Sequence, residues 1–436
     1  CVATAMTQIL LFHAAEQNKQ IKGYGSHCYT YGSYGEICAD FENTTYNSAE
    51  LLSYHVAISM DMRFTTGGSS PPAWNISQRM EEYFHYFVKE SINEDFYLKN
   101  ELENRRPVFA AITGLPENHA VVFDGYDDRG YFHLNFGWGG SSNGYYLMNN
   151  ETWFGAEGAK FASNPYAIYV VTPTPPPTNE QDSLALVAVH NAIGGSEVTN
   201  WDLTKPVWLW PGVLTMNNRV IRLSLNVAIP TSSEQSNAPE IGNLTALQEL
   251  SIGGILNGVI LSTITRLTDL KKLTIANSAL YIAPDLHKGN LKGVLPADID
   301  KLTKLEWLFI NNALEGTIPA SIGSLTSLKI LRIDQDTTSF GKGSLTGPIP
   351  IEIGNLSSLN QLHITNQNLN GNIPSTINNL TELREFVMFG NQLSGSVPAM
   401  NLPNLGYLKL NGNLFSEFDE GLGNCPNLIL IELQNN

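Results

Sequence analysis

Leu302-Thr303-Lys304-Leu305-Glu306-Trp307-Leu308-Phe309-Ile310 decides the architecture of the larger part of this chain. Its pattern, Leu-x-x-Leu-x-x-Leu-x-Ile, starts again at Leu244, Leu267, Leu325, Leu356, Leu380, Leu402 and, in degenerate form, at Cys425. The start-to-start spacings are 23, 35, 23, 31, 24, 22 and 23 residues; a unit of about 23 with two insertions of roughly 12 and 8 explains the series. Such a period marks a solenoid, because one unit cannot bury its own apolar face and must stack on its neighbours. Val220-Ile221-Arg222-Leu223-Ser224-Leu225 supplies one earlier strand, which makes nine units. Leu250, Leu273, Leu308, Leu331, Leu362 and Leu408 should point inward, and the residues flanking them outward. The insertions, at 279–290 and 334–344, follow strands in the same register and should emerge on one edge.

Each unit carries a second signature after its strand. Leu314-Glu315-Gly316-Thr317-Ile318-Pro319, Leu369-Asn370-Gly371-Asn372-Ile373-Pro374 and Leu393-Ser394-Gly395-Ser396-Val397-Pro398 are examples. These residues resemble plant-type leucine-rich repeats over residues 182–436. Residues 182–218 look like the N-terminal cap of such an array and 219–436 like its repeats. The resemblance implies an α/β leucine-rich repeat solenoid with a parallel sheet on its concave face. The Asn ladder of that family survives only at Asn391 and Asn413; Ala313 and Gln367 stand in equivalent places, so part of the backbone there needs other partners. Trp307, Phe309, Phe389 and Tyr407 are apolar outward positions. Exposed aromatics among charges suit a macromolecular ligand, although scattered exposed hydrophobes are also ordinary on a solvated surface.

Pro173–Gln181, with four prolines, reads as a semi-rigid linker between that array and a first domain at residues 1–172. The full length of 436 residues already calls for two or three domains. Composition is that of a water-soluble protein, 42 % hydrophobic and 15 % charged. No apolar run reaches the roughly 18 residues of a membrane span. Net charge is -16. Up to residue 172 there are 10 basic and 19 acidic residues, leaving 15 and 22 beyond. Neither part offers a basic face, which argues against nucleic acid. Four cysteines, Cys1, Cys28, Cys38 and Cys425, make neither a disulfide scaffold nor a zinc cluster. Cys28 and Cys38 are either paired or free.

Residues 1–172 read as α+β. Helices are expected at 1–15, where Val2, Met6, Ile9, Leu10 and His13 fall near one stripe, at 76–87 and at 96–104. Strands are expected at 107–112, 119–124 and 131–135, with a hairpin turn at Asp127-Asp128-Arg129-Gly130. Against this background stand Cys1, His119 and Asn135. A thiol attacks only as thiolate, and the positive end of a helix beginning at Cys1 favours that form. An imidazole takes the proton and returns it to the leaving amine, and an amide holds the imidazole in one tautomer. His119 shares a strand face with Val121 and Phe123. His133 is its rival, and Asn135 is on the face of His133 by parity.

Cys1-Val2-Ala3-Thr4-Ala5, Gln8-Ile9, His119-Ala120-Val121-Val122 with Asp124-Gly125-Tyr126, and Phe132-His133-Leu134-Asn135-Phe136-Gly137-Trp138-Gly139-Gly140 resemble the streptopain family of papain-like cysteine peptidases. The likeness covers residues 1–172. It implies Cys1 as nucleophile, His119 as general base and Asn135 as orienter, with Phe136, Gly137, Trp138 and Gly139 walling the site. It also implies protein or peptide substrates, synthesis as a zymogen, a bacterial source, a secreted or cell-surface location, and no metal or organic cofactor. Asn118 and Phe136 stand where that family carries Gly and Trp, and the family has residues before its Cys, so the domain reads as shortened at its N-terminus. Two other readings stay open: a repeat-based binding or adhesion protein with an inactive protease-like domain, and an amidohydrolase that uses the free amine of Cys1 as its base.

Overall fold

The computed structural model describes residues 2–17, 26–30, 36–40, 52, 56, 63–65, 68–70, 76–84, 86–90, 95–112, 119–129, 131–136, 143–148, 152–155, 160–162, 167–172, 175–195, 199–227, 238–254, 262–276, 293–311, 314–335, 343–418 and 424–436. The chain divides into two compact units, Cys1–Pro176 and Pro177–Asn436. Among the described residues no helix is long and apolar enough to cross a membrane.

The first unit is built on helix α1 (Val2–Gln17), α2 (Ile76–Phe84) and α3 (Asp95–Glu103). Two short hairpins, β1 (Ser26–Thr30) with β2 (Glu36–Asp40) and β3 (Arg63–Thr65) with β4 (Gly68–Ser70), stand apart from its main sheet. That sheet is antiparallel and comprises β5 (Phe87–Glu90), β6 (Val108–Ile112), β7 (His119–Tyr126), β8 (Tyr131–Asn135), β9 (Gly144–Met148), β10 (Thr152–Gly155), β11 (Lys160–Ala162) and β12 (Ala167–Thr172). Its order is β11-β10-β9-β8-β7-β6-β12-β5. The helical spacing of α1 sends Met6, Ile9 and Leu10, all fully buried, into one cluster with Phe109, Ala120, Val122 and Val171 of the sheet and Met80 of α2. His13 continues the stripe but is polar, and its Nε2 lies 2.8 Å from the carbonyl of Val171. Val121, Phe123, Phe132 and Leu134 are equally buried outside that cluster, so the central strands are covered on both faces. β1 and β2 set Cys28 opposite Cys38 in register; their side chains lie outside the described residues.

Two local expectations change here. The helix expected to run to Phe87 stops at Phe84. A hydrogen bond from Tyr86 N–H back to the Met80 carbonyl, six residues earlier, closes it. Phe87-Val88, apolar and partly β-branched, then joins the sheet edge beside β12. β9 to β12 have no counterpart among the strands read from sequence.

In the second unit, α4 (Glu180–Ala192) begins inside the segment expected as linker. Asn179 caps it by accepting from the N–H groups of Gln181 and Asp182, and Glu180 and Asp182 favour its positive end. Asp182, fully buried, accepts from the Arg219 guanidinium and the Val220 N–H, which ties the helix to the first hairpin, Val213–Met216 with Arg219–Val227. From there nine parallel strands follow, each paired to the next in one register. Leu223, Leu250, Leu273, Leu308, Leu331, Leu362, Phe386 and Leu408 stand side by side along the sheet. None is more than 1 % exposed, whereas Ile431 on the last described strand is 46 % exposed. The expected insertion at 279–290 lies outside the described residues, as do positions 336–342 of the other and Ala313.

The ladder amides differ in how well they serve. Asn391 donates to the carbonyls of Ile364 and Met388 and accepts from Leu369 N–H; Asn413 repeats the arrangement with Met388, Leu410 and Leu393. Gln367, fully buried, accepts from Leu345 N–H at 3.3 Å, but its Nε2 has no partner. Its longer side chain fits only because residue 343 is Gly, where an added Cβ would lie 1.9 Å from Oε1. Asn391→Ala removes the side-chain partner of Leu369 N–H and of the Ile364 carbonyl, Met388 keeping Asn413, and should cost about 2 kcal/mol or more, whereas Gln367→Met removes one long bond and one orphan and should stay within about 1 kcal/mol; urea unfolding curves of the two variants measure the difference.

Two histidines are nearly hidden in this unit. His190 stacks on Trp201 and holds Thr199 Oγ1 through Nδ1, and His363 sets Nε2 2.8 Å from Glu385. Burial lowers the pKa of His190; burial first, and the Arg332 charge second, lower that of His363. A base whose folded pKa lies below its unfolded value of about 6.5 takes up its proton more readily unfolded, so stability falls as pH drops through and below that value. Between about pH 7 and pH 5 the melting temperature should therefore decline, and His363→Gln should flatten the decline. A slope unchanged in that variant would remove His363 from the account.

Candidate active site

In the first unit α1 packs on β7 and β6 and reaches Asn135 of β8. α1 crosses β7, β8 and β12 in a direction fixed by two contacts. Gln8 Nε2 donates to Asn135 Oδ1 at 3.1 Å, and His13 meets the Val171 carbonyl five residues further on. Asn135 is opposite Val122 in the β7–β8 register.

Asn135 is half-buried at the end of β8. Phe136, the next residue, is 2 % exposed; its N–H donates to Asn143 Oδ1 and its ring lies 5.7 Å from Tyr146. Phe136 thus lies against the sheet as an apolar neighbour of Asn135. Cys1, the side chain of His119, and Gly137, Trp138 and Gly139 lie outside the described residues.

The rival His133 lies elsewhere. It is opposite Gly125, about 20 Å along β7 from His119 at 3.4 Å per residue. A register shift between Phe123 and Gly125 turns Asp124 outward, and Asp124 Oδ1 holds His133 Nδ1. The imidazole packs edge-on against Tyr145, with both the imidazole and its carboxylate partly in solvent. This is a surface pair well away from the first turn of α1. Gln8 was quoted in the sequence pattern without a role; its contact with Asn135 spans 127 positions, and no local signal announces it. Among the described residues no group of three His, Cys, Asp or Glu side chains is arranged to hold a metal ion.

The outward face of the repeat sheet is more polar than its aromatics suggest. Trp307 and Tyr407 share one row, four strands apart, about 19 Å at 4.8 Å per strand. Phe309 is half-buried under the Arg332 guanidinium, 5.4 Å away. Between them lies a recess of about 520 Å³, lined by Arg332, Asp334, His363 and Glu385 and bordered by Phe389 and Tyr407. Trp307 and Phe309 do not line it.

A scan of family models matches residues 1–146 to the Peptidase C10 family. The thiol protease/hemagglutinin PrtT of Porphyromonas gingivalis is 29 % identical over 174 residues, which are 34 % of this chain and 20 % of that protein. Streptopain of Streptococcus pyogenes is 28 % identical over 207 residues, 39 % of this chain and 51 % of the relative. The chain therefore spans about half or less of the curated relatives it matches. The crystallised LRR ectodomain of the plant membrane receptor kinase GASSHO1/SCHENGEN3 from Arabidopsis thaliana covers 57 % of this chain, and this chain covers 32 % of it, at 25 % identity and a TM-score of 0.42. Residues 1–146, with α1, β7 and β8 at their centre, are a domain of the Peptidase C10 family, the family of streptopain.

Proposed function

We propose that this chain is a bacterial cysteine-type endopeptidase, exported to the cell surface or medium, with Cys1 as nucleophile, His119 as general base and Asn135 as orienter. The observation that carries the reading is the packing of α1 on β7, with Asn135 of β8 held to α1 by Gln8. Cys1 immediately precedes α1. The N-terminal end of α1 stabilises its thiolate. The thiolate adds to the scissile carbonyl, His119 hands its proton to the departing amine, and water activated by the same imidazole releases the acyl group. Asn135 keeps the ring in the tautomer that both steps need. Domain limits follow: 1–172 for the peptidase, a proline-rich link, a cap to residue 218, and repeats to 436 that recruit a macromolecular partner or substrate through the face bearing Trp307, Phe309, Phe389 and Tyr407.

In the chain expressed from the start of its gene, Cys1→Ala should reduce thiol-dependent casein cleavage to background, a loss of about a thousandfold or more. His119→Ala should do the same; full turnover in that variant would favour the terminal amine as base. Asn135→Ala and Gln8→Ala should each lower kcat by about 10- to 100-fold, because a base displaced by an ångström loses that much.

Division of labour is tested by short-peptide turnover. The full chain and a form ending at residue 172 should turn over a short peptide equally. A large loss in the shorter form, with its peptidase unit still folded, would show that the repeats support the chemistry itself.

A further inference from the structure

The recess on the repeat sheet is a built site whose chemistry excludes most ligands. Its volume, about 520 Å³, falls in the range of small-molecule sites, about 300–1,000 Å³. Every charged side chain lining it is paired within the protein. Arg332 bonds Asp334 at 3.0 Å, His363 bonds Glu385 at 2.8 Å, and Lys409 bonds Glu432 at 3.0 Å. A ligand that paired ionically with Arg332, Asp334 or Lys409 would have to break one of these contacts, and a neutral one would not. The paired carboxylates nevertheless keep acceptor capacity. Thr365 engages Oδ1 of Asp334 while Arg332 engages Oδ2 through both Nε and Nη2, and Gln361 and His363 each engage one oxygen of Glu385, which leaves a second lone pair on Asp334 Oδ1 and on both oxygens of Glu385.

A second observation points the same way. Gln335 lines the recess, is 4 % exposed, and its Oε1 is buried with no hydrogen-bond partner. An amide about its last torsion can turn either end toward the recess, so it can meet a ligand hydroxyl as donor or acceptor. The orphan is costly as it stands. Phe389, half-buried, and Tyr407, 40 % exposed, add aromatic surface at the edge of the same recess.

We infer that this recess binds a neutral saccharide. Vicinal hydroxyls match acceptors that are planar and already held in place by protein donors, and each hydroxyl both donates and accepts. The C–H face of a sugar ring packs on Phe389 or Tyr407. An uncharged extended peptide fits less well, because it would look to strand backbone for partners and the ladder already uses those groups in pairing the sheet. The inference rests on the reading of this face as a binding face, to which it gives a ligand class, and is independent of the peptidase chemistry.

Titration calorimetry of the full chain tests it with cellotriose, maltotriose, mannotriose, the trimer of N-acetylglucosamine, and an uncharged hexapeptide of Gly, Ser and Asn. At least one sugar should bind saturably. Phe389→Ala and Gln335→Ala should weaken that binding by about tenfold or more. Tyr407→Ala, at an exposed side chain that leaves the core untouched, should weaken it too, while Trp307→Ala, outside the recess, should not. The inference fails if no sugar binds at millimolar concentration, or if sugar binding survives Tyr407→Ala and Phe389→Ala unchanged in folded variants. Binding of the hexapeptide alone also overturns it, while leaving the reading of the face as a partner surface in place.

Discussion

A repeat of about 23 residues cannot hide its own leucines, and that constraint governs the second unit from end to end. Leu308 is buried only because Leu273 and Leu331 stand beside it in register. Once the register is set by apolar contact, everything else on each strand is placed by alternation. The hidden amides of Asn391 and Asn413 then fall where they can collect carbonyls and N–H groups from neighbouring turns. The array begins by a different device, since its first strand has no earlier repeat to lean on. There α4, anchored through Asp182 on Arg219 and Val220, covers the open end, with Trp201 and Trp210 stacked 4.9 Å apart beneath it.

The first unit meets the same need with one helix. α1 is a stripe of Met6, Ile9 and Leu10 laid on Phe109, Ala120 and Val122, and it cannot slide without exposing them. Its two polar contacts, Gln8 to Asn135 and His13 to Val171, set its position along the strands. Positioning of any group at its N-terminal end is therefore a consequence of core packing some 10 Å away by helix rise. On the proposed reading of Cys1 as nucleophile, the core helix itself supplies both its position and a favourable field.

Elements with a long or repeated signal were legible from sequence. The leucine period placed strands near 249, 272, 307, 330, 361, 385 and 407, and the alternation of 131–135 matches β8 residue for residue. Boundaries were not. The helix after Ile76 was read three residues too long, since Tyr86 and Phe87 suit a helix stripe and a sheet edge equally, and only the closing bond at Tyr86 separates them. β9 to β12 were missed because their strand character comes from pairing rather than from an alternation that a single sequence displays. In the site, the residue types proposed to react come from resemblance, and Cys1 and the His119 side chain lie outside the described residues. Their support was not legible, because Gln8 and Asn135 are joined only by the fold. The four outward aromatics looked like one patch in sequence, yet strand spacing sets Trp307 and Tyr407 far apart with a charged recess between them.

The two faces of the repeat sheet answer to different demands, and the period of two in a strand keeps them independent. Leu331, Leu362 and Phe386 carry the stacking free energy on the inner face. Arg332 and His363 alternate with them on the outer face, and Val387, although only 6 % exposed, takes the same row. A change at an outer position alters no inner contact, so the recess can acquire charges that cancel, an unpaired amide and an aromatic edge without weakening the ladder. Those features cost stability locally, through desolvated ions and an orphaned carbonyl, and nothing in the stacking requires them.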